Sequence, residues 1–506
     1  MKRNKFSLSH YNLASMKMGP LYPAGLTEVL PGDTVQMSTS ALVRLSPLMR
    51  PVMHPVHVLL HHWFVPTRLV WDNWETFITG GTNAQVSNPP AYPVMRFNTI
   101  GINAMANYMG LPNGAYNAEH DGPLEVSAIP FRMYNLIVNE FYRDQDLVPE
   151  LVINKGDGLD TDTDRGLVNV AWEKDYFTTA RPWAQKGPDV MLPFGDRAPV
   201  VPREPKPGYP LFESSNDPGV AFQVSIDDET LKSGVGAADG EMQWFDPALE
   251  ADLSGATAVD VNTVRRVFAL QRYQEARARY GSRYTEYLRY LGVTPSDARL
   301  QRPEYVGGGK QTIQFSEVLQ TAPVYDSEEE ELVGDVGDLK GHGISAVRTR
   351  RARKFIPEHG YIFTLMSVRP KTIYMQGVPR HWLRRTKEDY WQKELQHIGQ
   401  QEIYNQEIFA PQTLEDRWLP FGWQDRYDEY RRTESRVSGD FRTINNDWHL
   451  ARIFSDPPVL NNDFVTSNPT DRVFADQSGD DTLWCMINHS IQARRMVAAK
   501  GTSYIL

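Results

Sequence analysis

Only one cysteine, Cys485, stands in 506 residues, so no internal disulfide can form and no cysteine-based zinc site can be built. Long apolar runs are also missing: no window reaches the roughly eighteen residues that a membrane span needs. The basic start, MKRNKFSLSHYNLASMKMG, lacks the apolar stretch of a secretory signal. The chain therefore reads as one made and folded in a reducing cytoplasm. Positive charge is in deficit, with a net charge of −10 and a pI of about 5.7, a poor balance for a chain whose main task is gripping phosphate. H-E-x-x-H, G-x-S-x-G and a cysteine–histidine pairing are all absent. No spacing singles out an acid/base pair among the carboxylates. Nothing in these absences argues for an enzyme.

Three near-motifs fail on geometry. His54, His57, His61 and His62 fall in or beside an extended segment. There His61 and His62 point to opposite faces, and His57 lies about 13 Å from His61 at ~3.3 Å per residue. A single zinc ion with bonds of about 2 Å does not bridge that gap, so core or interface histidines are expected. Asp160, Asp162 and Asp164 alternate like an EF-hand, but Arg165 and Ala171 stand where its glycine and glutamate belong; only a looser Ca²⁺ site stays open. Gly307-Gly308-Gly309-Lys310 lacks the first glycine and the following Ser/Thr of a phosphate loop. It reads as a tight bend or a close backbone approach.

What is present is β pattern. In Thr27–Gly81, Val35, Met37, Ala41, Val43 and Leu45 share one parity while Thr34, Gln36, Ser38, Ser40 and Arg44 share the other. That is the period of a strand with one dry face. Pro47, Pro51 and Pro55 keep the next stretch extended. Strands are expected at 33–46, 56–65, 361–368, 448–454 and 483–493, so that both ends of the chain pair in one sheet system. Helices are expected near 102–109, from Pro130 through Phe141, and over 261–292 with an interruption at Gly281. Tyrosines at helical spacing in the last of these read as core, with a nucleic-acid surface as the alternative, because arginines interleave them. Residues 1–26 read as an arm. Residues 189–260, rich in Pro, Gly, Asp and Glu, read as a surface insertion. The fold class is mainly β: an antiparallel jelly-roll sandwich with large loop and helical insertions, in one domain over 27–506.

FSLSHYNLASMKMGPLYPAGLTEVLPGDT and HPVHVLLHHWFVPTRLVWDNWETFITGG, with IPFRMYNLIVNEFYRDQ, DYFTTARPWAQKGP, VRRVFALQRYQEARARYGSRYTEYL, RPEYVGGGKQTIQFSEVLQTA, GDLKGHGIS and NNDWHLARIFSDPPVL, closely resemble the major capsid proteins of microviruses. These are the small circular single-stranded-DNA phages, here of the gokushovirus-like branch. The resemblance covers nearly the whole chain, apart from 189–260. It implies a T=1 icosahedral shell of sixty copies around circular single-stranded DNA, in a virion assembled in the bacterial cytoplasm. It also implies a separate small basic DNA-binding protein, a minor pilot protein and a host surface receptor as partners, with no cofactor. Two other classes stay open on composition alone: a receptor- or glycan-binding jelly-roll module, and a polysaccharide-degrading enzyme on a β scaffold.

Basic clusters make Lys2, Arg3, Lys5, Arg348, Arg350, Arg351, Arg353, Lys354, Arg494, Arg495 and Lys500 the candidate DNA-facing residues. Trp244 and Phe245, in the insertion, are candidate anchors for host attachment. DNA contact is expected to be weak and without sequence preference, since phosphate affinity comes mainly from cations.

Overall fold

The computed structural model describes residues 3–80, 89–116, 122–188, 190, 261–280, 283–321 and 336–499. It also describes the backbone of the strands at 200–202, 211–214, 217–227, 230–233, 242–246, 249–251, 324–325 and 332–334. Two compact units divide the chain: Met1–Ala184 with Arg277–Leu506, and Gln185–Ala276.

The larger unit is built on two antiparallel sheets. Its strands are β1 (Asn4–Ser7), β2 (His10–Met16), β3 (Tyr22–Val29), β4 (Thr34–Leu45) and β5 (Val56–Pro66). After a long excursion come β6 (Glu304–Thr312), β7 (Gln314–Leu319), β8 (Leu339–Arg348), β9 (Ala352–Phe355), β10 (Gly360–Pro370) and β11 (Leu483–Arg495). In the seven-stranded sheet β11 pairs with β4 from Leu483↔Leu45 to Arg494↔Thr34. β1 and β2 extend it beyond β11, and β8, β9 and β7 extend it beyond β4. The second sheet has the order β6-β5-β10-β3. The four strands expected most firmly, at 33–46, 56–65, 361–368 and 483–493, all form, and the first and last of them are central neighbours. The chain is thus mainly antiparallel β, the class that the strand pattern predicts.

The dry parity of β4 does what its alternation promises. Met37, Ala41, Val43 and Leu45 are buried, and Ala41, Val43 and Leu45 pack in one cluster with Val56, Val58, Leu60, Met366, Val368, Cys485 and Ile487. That cluster draws on both sheets, so their inner faces share a core. Each fully buried side chain of this size contributes about 1.5–3 kcal/mol. β5 and β10 are apolar on both parities because their outer face is covered too. Trp63, Val65, Phe363 and Leu365 pack against α1 (Ile129–Ile137) through Phe131, Met133, Tyr134 and Ile137. Arg132 of α1 is wholly buried and donates to Asp160 at 2.7 Å and to the carbonyls of Val70 and Gly156.

Several expectations need correction. The first residues are not an arm in the structure: β1 and β2 pair with β11, and β3 pairs with β10. No strand forms over 448–454. Asn446–Trp448 is a 3-10 turn, and Arg472 donates to the carbonyls of Asn446, His449 and Ala451 and holds the stretch as a loop. The helix near 102–109 shrinks to Met105–Tyr108. The helix expected over 261–292 does form, as α2 (Val261–Tyr280) and a shorter helix at Tyr284–Tyr290 on either side of the expected interruption at Gly281. Its tyrosines are not core, since Tyr273, Tyr280, Tyr284, Tyr287 and Tyr290 are all exposed.

The smaller unit carries two antiparallel sheets of its own. One joins Val200–Pro202 to Leu249–Ala251. The other has the order Thr230–Ser233, Asp217–Asp227, Leu211–Ser214, Met242–Asp246. The Pro- and Gly-rich composition of 189–260 thus accompanies short strands, not continuous loop.

Candidate nucleic-acid interface

One face of the seven-stranded sheet is the core; the other is open. On β4 the open face carries Thr34, Gln36, Ser38, Ser40, Leu42 and Arg44, the wet parity of the sequence pattern. Register then fixes what stands beside them. Across β11, β4 and β8, Trp484, Arg44 and Ile344 form one row, and Met486, Leu42 and Ala346 the next. β2 adds Ser15 to the first row and Leu13 to the second, and Tyr11 beside Asn488. At the far end Lys5 stands directly opposite Arg494, with Thr34 and Phe355 in the same row. Arg353 lies beside Gln36, and Arg348 beside Ser40. The face therefore carries an apolar group at one end and the uncharged Ser38, Ser40, Asn488, Ser490, Gln36 and Gln492 along its middle, with cations spread over its length: Arg44 at Trp484, Arg348 at Ser40, Arg353 at Gln36 and Lys5 at Arg494.

Its charge is one-sided. Lys5, Arg44, Lys340, Arg348, Arg353 and Arg494 occupy open-face positions, and no open-face position of the seven strands is Asp or Glu. This occurs in a chain with 63 acidic and 53 basic residues. None of the six cations is in an ion pair among the described residues. Like charges directly opposite each other on a sheet destabilise it, so the Lys5–Arg494 pair costs stability until an anion sits between them. Arg3 lies over the Phe355 ring at 5.5 Å and donates to Thr34.

The sequence candidates thus separate. Arg3, Lys5, Arg348, Arg353 and Arg494 come together at this face, and Arg350 and Arg351 are exposed in the turn between β8 and β9. Lys354 does not join them: it points to the opposite side and pairs with Glu304. Arg495 is likewise taken, by Asp33 at 2.8 Å and the Glu28 carbonyl. Lys2 and Lys500 lie outside the described residues, as do the side chains of Trp244 and Phe245 on the strand Met242–Asp246. Arg44, Lys340 and the apolar group Tyr11, Leu13, Trp484 and Met486 escaped notice. The available signal was apolar residues on the wet parity of a strand, as at Trp484 and Met486.

The polar side chains of the other clusters find partners within the chain. His54 bonds the Lys371 carbonyl, His57 the Thr312 hydroxyl, His61 the Tyr142 hydroxyl, and His62 both Thr364 and Thr349. Burial lowers the pKa of His54 and His61 to about 4 and that of His62 to about 3, which keeps them neutral at pH 7. Asp160 is pushed up by burial, but the Thr163 backbone and hydroxyl and Arg132 outweigh that and hold it below the usual carboxylate range. Asp162 accepts from Asn154, and Asp164 from the Val152 backbone. Among the described residues no three His, Cys, Asp or Glu converge as a metal site. The Gly307–Gly309 run is a close approach: a side chain at Gly308 would lie 2.5 Å from the Leu60 carbonyl oxygen. A cleft of about 380 Å³ is lined by Tyr176, Arg380, Glu407, Arg432 and Glu434. In it Glu407 is consumed by Arg380, Tyr176 and the Tyr404 N–H, while burial raises Glu434 to about 7.

Comparison with known proteins bears on the whole chain. A family model described as Capsid protein (F protein) matches residues 1–503. The Capsid protein VP1 of Bdellovibrio phage phiMH2K is 36% identical over 480 residues, which cover 92% of this chain and 88% of that one. The Capsid protein VP1 of Chlamydia phage 1 is 32% identical, covering 94% and 91%. That of Spiroplasma virus 4 is 28% identical, covering 95% and 91%.

Proposed function

The chain belongs to the phage Capsid protein (F protein) family and is a major capsid protein, and from that premise we propose that sixty copies close into a T=1 shell around circular single-stranded DNA. The observation that carries this is the family match over essentially the full length, joined to a two-sheet β sandwich. The role is structural, without a catalytic step of its own. The open face of the seven-stranded sheet, whose strand positions carry no Asp or Glu, lines the interior, and Lys5, Arg348, Arg353 and Arg494 meet phosphates there. Sixty chains at −10 each cannot condense a genome by themselves. A small basic DNA-binding protein supplies that charge, and a minor pilot protein completes the virion. The 189–260 unit forms a protrusion on the outer surface that meets the host receptor through Trp244 and Phe245. Assembly takes place in the cytoplasm of the bacterial host.

The test is expression of the full chain, followed by electron microscopy and sedimentation. The reading expects closed, uniform particles of sixty times 57.7 kDa. A monomer or small oligomer at every concentration tried would overturn it and return the binding-module class.

A further inference from the structure

We propose that the open face of the seven-stranded sheet is a stacking platform for single-stranded nucleic acid, with bases resting on Tyr11, Leu13, Trp484 and Met486 while the phosphates follow the cations. The proposal rests on reading the chain as a shell around single-stranded DNA. It adds where that strand lies and why a duplex does not fit.

The four side chains are 68%, 77%, 51% and 45% exposed, a cost in water that a free surface does not ordinarily accept in one contiguous patch. They sit on two adjacent strands: Leu13 is opposite Met486, and Trp484 lies one row away. Arg44 flanks Trp484 on β4. An aromatic and apolar patch beside cations is the recognition chemistry of single-strand binders, because every base offers a π face. Charge complementarity decides between occupants. A partner protein docked by apolar contact alone would not require Asp and Glu to be absent from every open-face strand position, where the nearest carboxylate is that of Asp481 on the Ser15 hydroxyl at one end, nor Lys5 to be held against Arg494. A polyanion uses both. From Trp484 to Arg494 the face spans about 33 Å at ~3.3 Å per residue, enough for a strand segment within the roughly 4–16 nucleotides common to such platforms. A duplex keeps its bases stacked inside and offers only phosphate, so the apolar end has nothing to hold.

Full-length chain, unassembled at low concentration, is titrated by fluorescence anisotropy with a labelled single strand and with the duplex of the same length over a salt series. Binding is expected to be tighter for the single strand. A Tyr11→Ala/Trp484→Ala variant should lose roughly tenfold on the single strand, with its salt slope and its duplex affinity unchanged. An Arg348→Gln/Arg494→Gln variant should weaken both forms and lower the single-strand salt slope by about 0.7 per contact removed. Every variant is also scored for particle formation, which reports folding and tests the shell reading separately. Equal affinity for both forms, or a Tyr11/Trp484 variant that binds like wild type, overturns the stacking platform while leaving the shell intact. A Tyr11/Trp484 variant that binds DNA normally yet forms no particles assigns the patch to contact between copies, and overturns it as well.

Discussion

Arg132 and Asp160 offer the sharpest energetic test of the fold. Both side chains have zero exposure and meet at 2.7 Å. Arg132→Met removes the cation and leaves Asp160 charged in the interior. Its remaining partners are the backbone N–H groups of Asp162 and Thr163 and the Thr163 hydroxyl. Breaking one side of a buried pair costs about 3–5 kcal/mol. Asp160→Asn keeps an acceptor for those N–H groups but strands the guanidinium, so a similar loss is expected. In the double variant neither charge remains, and the loss should fall short of the sum of the singles by about 2 kcal/mol or more. The assay is urea denaturation of the dissociated chain, comparing midpoints at constant slope. Strictly additive single losses would refute the reasoning, because they would mean that the two groups do not interact.

Four histidines, three buried and His61 half-buried, set an acid limit. Burial lowers His54, His61 and His489 to about 4 and His62 to about 3, so the folded state disfavours their protonation. Their contribution is complete above the unfolded value of about 6.5 and is lost as pH falls toward 4, at up to ~1.4 kcal/mol per pH unit for each proton. His489 bonds Thr39 and the Ala24 carbonyl and lies near His10. His489→Gln should flatten the stability–pH slope between 6.5 and 4 by about one proton's worth, and an unchanged slope counts against this. Val43→Asp buries a lone carboxylate in the shared core and should cost several kcal/mol (about 3 or more) and abolish assembly; normal mutant particles would contradict the core assignment. Replacing 189–260 with a short Gly/Ser linker should preserve particles and abolish adsorption to host cells. Intact particles that adsorb normally would remove the attachment role.

How much was legible depended on whether a strand's pattern followed the core. β4, β5, β10 and β11 alternate or run apolar because their neighbours bury them, and all were readable. β2 was not, because its pattern is inverted: Tyr11 and Leu13 face outward, whereas Asn12 points in and bonds the Ala24 carbonyl. The tyrosines of α2 and the helix after it kept helical spacing, but spacing does not say which face finds a cover. Over 448–454, apolar residues pack on the core from a loop whose carbonyls are held by Arg472, so alternation there carried no ladder. The cationic face was invisible as a unit, since Lys5 and Arg494 lie at opposite ends of the chain and only register joins them. Lys354 and Arg353 are sequence neighbours with opposite fates for the same reason: adjacent strand residues point to opposite faces.

The most direct measurement is a density map of the assembled particle that shows which sheet face turns inward. The account predicts a closed sixty-copy shell whose interior wall carries Trp484, Arg44, Arg348, Arg353 and Arg494, with strand-like density against them. A particle with that face on the outside, or buried between neighbouring copies, would contradict it.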